Sequence, residues 1–373
     1  MCGGDTVRTY RFKLYKSKRN RKLHKQINTA GLIYNHCIAL HKRYYKLFGK
    51  SLNMYQLQKH LTKLKKISKF AYMKELGSQA VQDITQRIDR AYKLFFRNLK
   101  HKIRTAPPSF KKIKKYKSFT LKQSGWKLDE ASNSITIGKQ RYRYVKSREI
   151  EGKIKILTVK RDALGDIYLY FVCETSENKV LARTGKSVGF DFGLKTFLTA
   201  SDGKDIKAPL FFRQNANAIK MANRDLSRKA KGSNNRKKAK IALARLHKKV
   251  ANQRDNFHWQ TANKLVGEYA LICIEDLNLK AMQKRFGRKI SDLGFADFVH
   301  KLKYKAHRVG ASVVEVDRFF PSSQLCSDCG YRNTETKNLR VRKWTCPKCG
   351  TIHNRDRNAS INIEREGNRI FFA

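Results

Sequence analysis

The chain has 373 residues, with 83 Lys or Arg against 29 Asp or Glu, a formal net charge of +54 and 40% hydrophobic residues. The length and apolar content allow two to four modules with real cores, and the charge opposes compaction unless a polyanion neutralises it, so nucleic acid is the expected partner. No run of about 18 apolar residues occurs, which excludes a membrane-crossing helix, and the scattered Cys2, Cys37, Cys173 and Cys273 exclude a disulfide framework and fit a reducing cytosol.

The chain starts with Met1-Cys2-Gly3-Gly4-Asp5, which lacks the apolar stretch of a signal peptide. Residues 7–15 alternate apolar and basic, which predicts a half-buried strand. From about 18 to 48, Leu23, Ile27, Ala30 and Tyr34 recur at helical steps, with Gly49 as the stop. A second helix is expected over 54–66. A third opens at Ser78, read as its N-cap, with Val81, Ile84, Ile88, Ala91, Phe95 and Leu99 on one stripe. Tyr92 and Phe96 are expected as core aromatics of this block, which Pro107-Pro108 closes. Residues 134–138, 155–159 and 167–172 are rich in β-formers. A strand, a helical insertion and further strands predict a β-barrel interrupted by a helical lobe.

In the second half, 187–192 and 196–200 read as two strands around a tight turn at Gly193-Leu194-Lys195. Residues 214–252 predict a long basic helix or helix pair, broken at Gly232-Ser233-Asn234-Asn235, and another helix follows at about 257–268. An apolar strand, 270–274, ends at Glu275-Asp276; a helix at 295–308 and a strand at 312–316 complete an α/β pattern.

Two sets of residues carry chemistry. Cys326, Cys329, Cys346 and Cys349 form two C-x-x-C pairs with sixteen residues between them, the spacing of a zinc ribbon. Four thiolates leave no open coordination position, so this zinc is expected to be structural, and His353 is not needed as a further ligand. The second set is acidic. Asp191 lies on the strand face opposite Val188, Phe190 and Phe192, between Gly189 and Gly193, where room for a metal and a phosphate is expected. Glu275 ends an apolar strand, where open α/β sheets bind ligands. Asp356 opens a short predicted helix seven residues after Cys349. Taken singly, Asp356 is equally a helix N-cap and Glu275 a solubilising strand end. Together, three carboxylates from a sheet and an adjacent helix match the ribonuclease H-like arrangement, whose hard oxygens hold two divalent cations, Mg²⁺ or Mn²⁺. Asp276 points the other way and is not expected as a ligand.

The strings Gly189-Phe190-Asp191-Phe192-Gly193, Ile274-Glu275-Asp276-Leu277, 320–330 (FPSSQLCSDCG) and Asn354-Arg355-Asp356-Arg357-Asn358-Ala359 resemble, in order and spacing, the TnpB (OrfB) proteins of bacterial insertion sequences. These are compact relatives of type V CRISPR effectors. The resemblance is most specific over 320–359 and is weak in the N-terminal half, where motifs such as Ile33-Tyr34-Asn35-His36 fit in outline. It implies an RNA-guided DNA endonuclease that binds a transposon-derived guide RNA, recognises a target-adjacent motif in double-stranded DNA and cuts with a RuvC-like site of Asp191, Glu275 and Asp356. The implied architecture is multidomain α+β. A wedge barrel spans 1–15 and 107–182 and is interrupted by a helical recognition lobe at 16–106. A RuvC-like nuclease spans 183–320 and 353–373, with a basic helical insertion at about 211–252. A zinc ribbon is inserted at 321–352. Ser78, Gln79, Gln82, Thr120 and Lys122 lie where the family meets its duplex motif, and Arg340, Lys343 and Lys348 are candidate DNA contacts on the ribbon. A monomer on its RNA, in the prokaryotic cytoplasm with the nucleoid, is expected.

Three other readings remain at this stage. An RNA-guided repressor of the same fold would bind without cutting, which the intact acidic triad argues against. A strand-transferring transposase would not place a zinc ribbon between its second and third acids. A basic RNA-binding protein with a zinc ribbon would leave Asp191 and Glu275 without a role.

Overall fold

The computed structural model describes residues 6–175, 185–338 and 340–373. The expectations for residues 1–5 and for the module boundary at 182/183 lie outside these. The chain divides into two compact units at residue 177, taken here one at a time.

The first unit opens with β1 (Thr6–Leu14), whose alternation buries Tyr10, Phe12 and Leu14 and leaves Arg11 exposed. Helix α1 (Asn20–Phe48) buries Leu23, Ile27, Ala30 and Tyr34 and stops at Gly49, whose φ of 63° favours glycine. Helix α2 (Met54–Leu64) starts with a capping box between Asn53 and Gln56. Helix α3 (Ser78–Lys100) departs from expectation at its start: Gly77, at φ 76°, is the N-cap, so Ser78 is already helical and caps nothing. Its stripe is buried only at the N-terminal end, through Val81, Ile84, Ile88 and Tyr92; Phe96 and Leu99 are exposed because the helix runs beyond the core.

Six strands follow: β2 (Ser118–Leu121), β3 (Trp126–Asp129), β4 (Ser134–Ile137), β5 (Gln140–Val145), β6 (Lys153–Arg161) and β7 (Ile167–Thr175). With β1 they form a seven-stranded antiparallel sheet in the order β2-β6-β7-β1-β5-β4-β3. The ladder ends at β2 and β3, so the expected barrel is nearly closed rather than sealed by hydrogen bonds. Phe12, Tyr144 and Phe171 meet at ring distances of 5.4 to 6.3 Å in a core shared with α1, α2 and α3.

The second unit starts with β8 (Ser187–Phe192), β9 (Thr196–Ala200) and β10 (Ile206–Lys207). Helices α4 (Phe211–Gln214), α5 (Ala216–Arg228) and α6 (Asn234–Glu268) precede β11 (Leu271–Glu275). Helices α7 (Leu279–Leu293) and α8 (Phe295–Val309) lead to β12 (Ser312–Val316). Last come β13 (Lys343–Thr345), β14 (Ile352–Asn354) and α9 (Arg355–Phe372). The main sheet has the order β10-β9-β8-β11-β12; β8, β11 and β12 are parallel, β9 returns antiparallel to β8, and β10 pairs antiparallel with β9.

One helix, α6, replaces the two expected around 252–257. Ser233 caps it, no Gly or Pro interrupts 236–266, and His258, Ala262 and Leu265 continue its buried face. Helix α7 was not anticipated; Asn278 caps it and Gly294, at φ 65°, ends it. Buried Asp292 near its end accepts from the backbone N–H groups of Phe212 and Arg213, tying down α4. One face of the sheet packs Phe190, Phe192 and Phe197 against Phe295 and Phe298 of α8 and Leu265 of α6. On the other face Leu271, Cys273 and Val316 meet Ile363 of α9. No described helix is long and apolar enough to cross a membrane.

Candidate functional site

The strand register brings the first two acids side by side. Parallel β8 and β11 pair Cys273 with Gly189 and Ile274 with Phe190, so the next residues along the two strands are Asp191 and Glu275. Helix α9 brings the third. A Cβ on Gly189 would sit 2.1 Å from the Ser360 carbonyl oxygen, and one on Gly367 would sit 2.2 Å from the Cys273 sulfur. These two glycines let α9 lie directly on β8 and β11. Asn368 reaches Ser187 at one end of β8, Ser360 crosses Gly189, and the N-terminal turn with Asp356 arrives beside Asp191. The small residue at 189 therefore makes room for a helix, not for the metal and phosphate expected from the sequence. Helix α9 is also 18 residues long rather than short.

Electrostatics reflects the crowding. Burial first, then the charges of Glu275 and Asp356, pushes the Asp191 carboxyl well above the ordinary carboxylate range, while Arg355 opposes the shift. Burial also raises Glu275, against the hydroxyl of Ser322, which donates to it, and the charge of Arg355. Asn354, not Asp356, caps α9 by accepting from the N–H groups of Asp356 and Arg357 at 3.1 and 3.2 Å. The Asp356 carboxylate instead faces Arg342, whose Nη1 lies 3.2 Å from both of its oxygens. Two guanidinium groups against three carboxylates leave a deficit of positive charge, and the donors are all hard oxygens. The donor chemistry is that of a divalent cation of the Mg²⁺ or Mn²⁺ kind, although among the described residues only the four cysteines bring their ligand atoms within 4.8 Å of one another. Asp276 pairs with Arg318 outside the group.

The four cysteines converge as their spacing predicts. All four sulfurs lie within 4.8 Å of one another, with Cys326–Cys349 and Cys329–Cys346 at 3.6 Å. A tetrahedral zinc with bonds of about 2.3 Å needs sulfurs about 3.8 Å apart, so the set fits zinc. His353 lies beside the cluster: its Nε2 is 3.0 Å from the Cys326 sulfur and its ring rests on Trp344 at 4.7 Å. That contact orients a thiolate rather than adding a ligand.

Of the expected nucleic-acid contacts, Ser78 and Gln82 are exposed and Gln79 is half-buried on the first turns of α3. Thr120 does not belong with them. It is buried, and its hydroxyl is engaged by Arg87 at 2.6 Å and Thr158 at 3.0 Å, so it has no free group for a base edge. Lys122 is half-buried and bonded to Gln86. A basic cavity of about 860 Å³, with Tyr15, Lys16, Arg19, Arg141 and Arg143 in its wall, was not foreseen.

Sequence reasoning also missed Ser322, Arg342 and Arg355. One signal was available: Asn354, Asn358 and Asn362 recur at four-residue steps along one face of α9. Asn358 accepts from the Ser327 N–H and donates to the Leu325 carbonyl, and Asn362 donates to the carbonyls of Ser322 and Leu325. The ribbon's first knuckle is thus bonded to the helix that bears Asp356.

Comparison with known proteins agrees with this geometry. The family described as "Cas12f1-like, TNB domain" matches residues 295–363, and OrfB_IS605, described as "Probable transposase", matches residues 170–285. A relative in Streptomyces pristinaespiralis, provisionally named as an RNA-guided DNA endonuclease, is 30% identical over 366 residues, covering 96% of this chain and 89% of its own. The similarly named InsQ of Escherichia coli K12 is 28% identical, covering 91% and 86%. The solved Cas12f1–sgRNA–target DNA complex matches at a TM-score of 0.58 and 15% identity, over 93% of this chain and 83% of that one, which is a likeness of fold.

Proposed function

The chain belongs to the TnpB (OrfB) family and is an RNA-guided DNA endonuclease of an insertion sequence, and from that premise we propose that it cuts DNA at Asp191, Glu275 and Asp356. What supports this reading is that two of the acids end paired parallel strands and the third opens the helix packed across them, with the charges of Glu275 and Asp356 acting on Asp191. The strand order of the second unit supports a ribonuclease H-like, RuvC-type nuclease at 183–320 and 353–373, with a zinc ribbon at 321–352. The first unit then serves as the wedge barrel, with 16–106 as the recognition lobe.

Asp191, Glu275 and Asp356 would hold two divalent cations, Mg²⁺ or Mn²⁺. Cations bound there supply an activated water and neutralise charge on the departing oxygen. The chain's own residues prepare the place. Burial and like charge at Asp191, and burial alone at Glu275, make these acids hold a proton more readily than free acids, so the site favours an incoming cation over its own bare charges. Arg342 fixes the Asp356 carboxylate, and Arg355 sits against the other two. The cysteines would hold a structural zinc.

Base pairing to a transposon-derived guide RNA supplies sequence choice, while the protein grips backbones. That division accounts for +54 charges with few base-reading side chains. The exposed Ser78 and Gln82, with Gln79, remain the candidates for reading the target-adjacent motif. One chain per guide RNA, acting on the nucleoid in the cytoplasm, completes the reading.

The test is to purify the protein from cells carrying its flanking transposon DNA, sequence the bound RNA, and present a plasmid library with randomised motifs plus Mg²⁺. Depletion of one motif beside the guide match is expected. Tight binding with no cleavage would favour a repressor instead.

A further inference from the structure

We propose that Ser322 is a positioning residue for the candidate metal site, orienting Glu275 from a mount on the helix that bears Asp356. The proposal rests on the reading of Glu275 as a metal ligand. Ser322 is 5% exposed, and its hydroxyl donates to Glu275 Oε1. Its backbone is pinned on both sides: its N–H donates to Phe320 O at 2.8 Å, and its carbonyl accepts from Asn362 Nδ2 at 2.8 Å. Asn362 also holds the Leu325 carbonyl at 2.7 Å, one residue before Cys326. A continuous path therefore runs from α9 through Asn362 and Ser322 to Glu275.

The geometry has a chemical consequence. Glu275 ends β11, where no further strand residue confines its side chain, and its carboxylate can rotate. A donor on Oε1 stops that rotation and leaves Oε2 directed for a cation. Partners of this kind set the orientation of ligating carboxylates, and losing one costs about 10–100-fold in metal affinity or activity. Because the donor is mounted on α9, Glu275 and Asp356 take their positions from one rigid element, six residues apart at Asp356 and Asn362. The knuckle that starts four residues after Ser322 is bonded to the same helix, through Ser327 and Asn358 at 2.8 Å.

The test uses the full chain with its guide RNA. Mn²⁺ binding is read from the electron paramagnetic resonance of the free ion, and cleavage is followed across a Mg²⁺ titration. For Ser322→Ala we expect Mn²⁺ affinity to fall about tenfold. The Mg²⁺ needed for half-maximal cleavage rises in parallel, the rate recovers at high Mg²⁺, and zinc content and target-DNA affinity stay unchanged. Ser322→Thr, which keeps the hydroxyl, restores Mn²⁺ affinity. Wild-type Mn²⁺ affinity in Ser322→Ala overturns the proposal. So does equal failure of both variants with loss of zinc, which marks a purely structural residue. Glu275→Gln separates the two levels. If it binds Mn²⁺ and cuts like the wild type, the ligand reading falls and this proposal with it; if it is inert while Ser322→Ala is normal, only the positioning role falls.

Discussion

The four thiols come from 24 residues of chain, Cys326 to Cys349, whereas the three carboxylates come from 166, Asp191 to Asp356. The thiols meet because two short knuckles and the hairpin of β13 and β14 are enough to gather them. The carboxylates meet only because β8 and β11 pair in one parallel register and α9 lies across both. The clusters differ in chemistry as well. Soft thiolates close a tetrahedron and leave no position for a reactant, while cations held by hard carboxylates, as proposed for the acids, would stay open to water and phosphate. The two are still joined, since asparagines of α9 hold the first knuckle. The local cluster thereby steadies the assembled one.

The contrast can be broken most sharply at the acids. Asp191→Ala, Glu275→Ala or Asp356→Ala should each lower cleavage on the order of a thousandfold or more, with guide-RNA and target binding retained. Wild-type cutting by any one of them removes that acid from the site.

Zinc removal, by chelation or by Cys346→Ser, comes next. Structural zinc contributes roughly 10–16 kcal/mol to the folding of small zinc modules. The ribbon should become protease-sensitive within 322–352 and cleavage should fall about a hundredfold, while guide-RNA binding persists. Full cleavage in a zinc-free protein would sever the link between the two clusters.

Gly189→Ala tests the packing of α9 without touching a ligand. The new methyl would lie 2.1 Å from the Ser360 carbonyl oxygen, and both partners are backbone. A loss of at least about 1–3 kcal/mol in urea unfolding is expected, together with slower cleavage. An unchanged unfolding midpoint would show that α9 can lift off the sheet at no cost.

The smallest effect is electrostatic. A carboxyl whose folded value is raised contributes stability at low pH that is lost as pH rises through the window between its unfolded and folded values. Raising the pH through that window therefore costs the metal-free protein stability at Asp191. Asp191→Asn should raise the metal-free Tm by about 2–4 °C while abolishing cleavage. If Asp191 holds Mg²⁺ as proposed, the ion competes with a proton held above the ordinary carboxylate range, so metal affinity should begin to fall, on acidification, at a higher pH than for free acids. A Tm lowered by Asp191→Asn would contradict the charge deficit.

The residues proposed for the site could be singled out from the sequence; their neighbours could not. Cysteine spacing is a local rule, and an acid at a strand end is visible in the alternation of apolar residues. Ser322, Arg342 and Arg355 carry no local signature, because each acts on a residue that only tertiary packing brings near. Thr120 misled for the same reason: its exposure depends on Arg87 and Thr158, far from it in sequence. Helix α7 was missed although its cap, Asn278, and its stop, Gly294, were both readable. The false break near 252–257 had no Gly or Pro to make it.

The sequence by itself determined the polyanionic partner, the four-cysteine cluster and most of the strand and helix content, and it singled out the three acids proposed for the site. These follow from net charge, short-range spacing and the two periodicities of backbone geometry. Tertiary structure alone decided that Gly189 and Gly367 admit a helix, that α9 lies across β8 and β11, and that the first cysteine knuckle and Glu275 share a mount. Those decisions rest on contacts between segments distant in sequence, from 40 residues for Asn362 with Ser322 to 171 for Gly189 with Ser360, and close packing between distant segments leaves no periodic trace in either one.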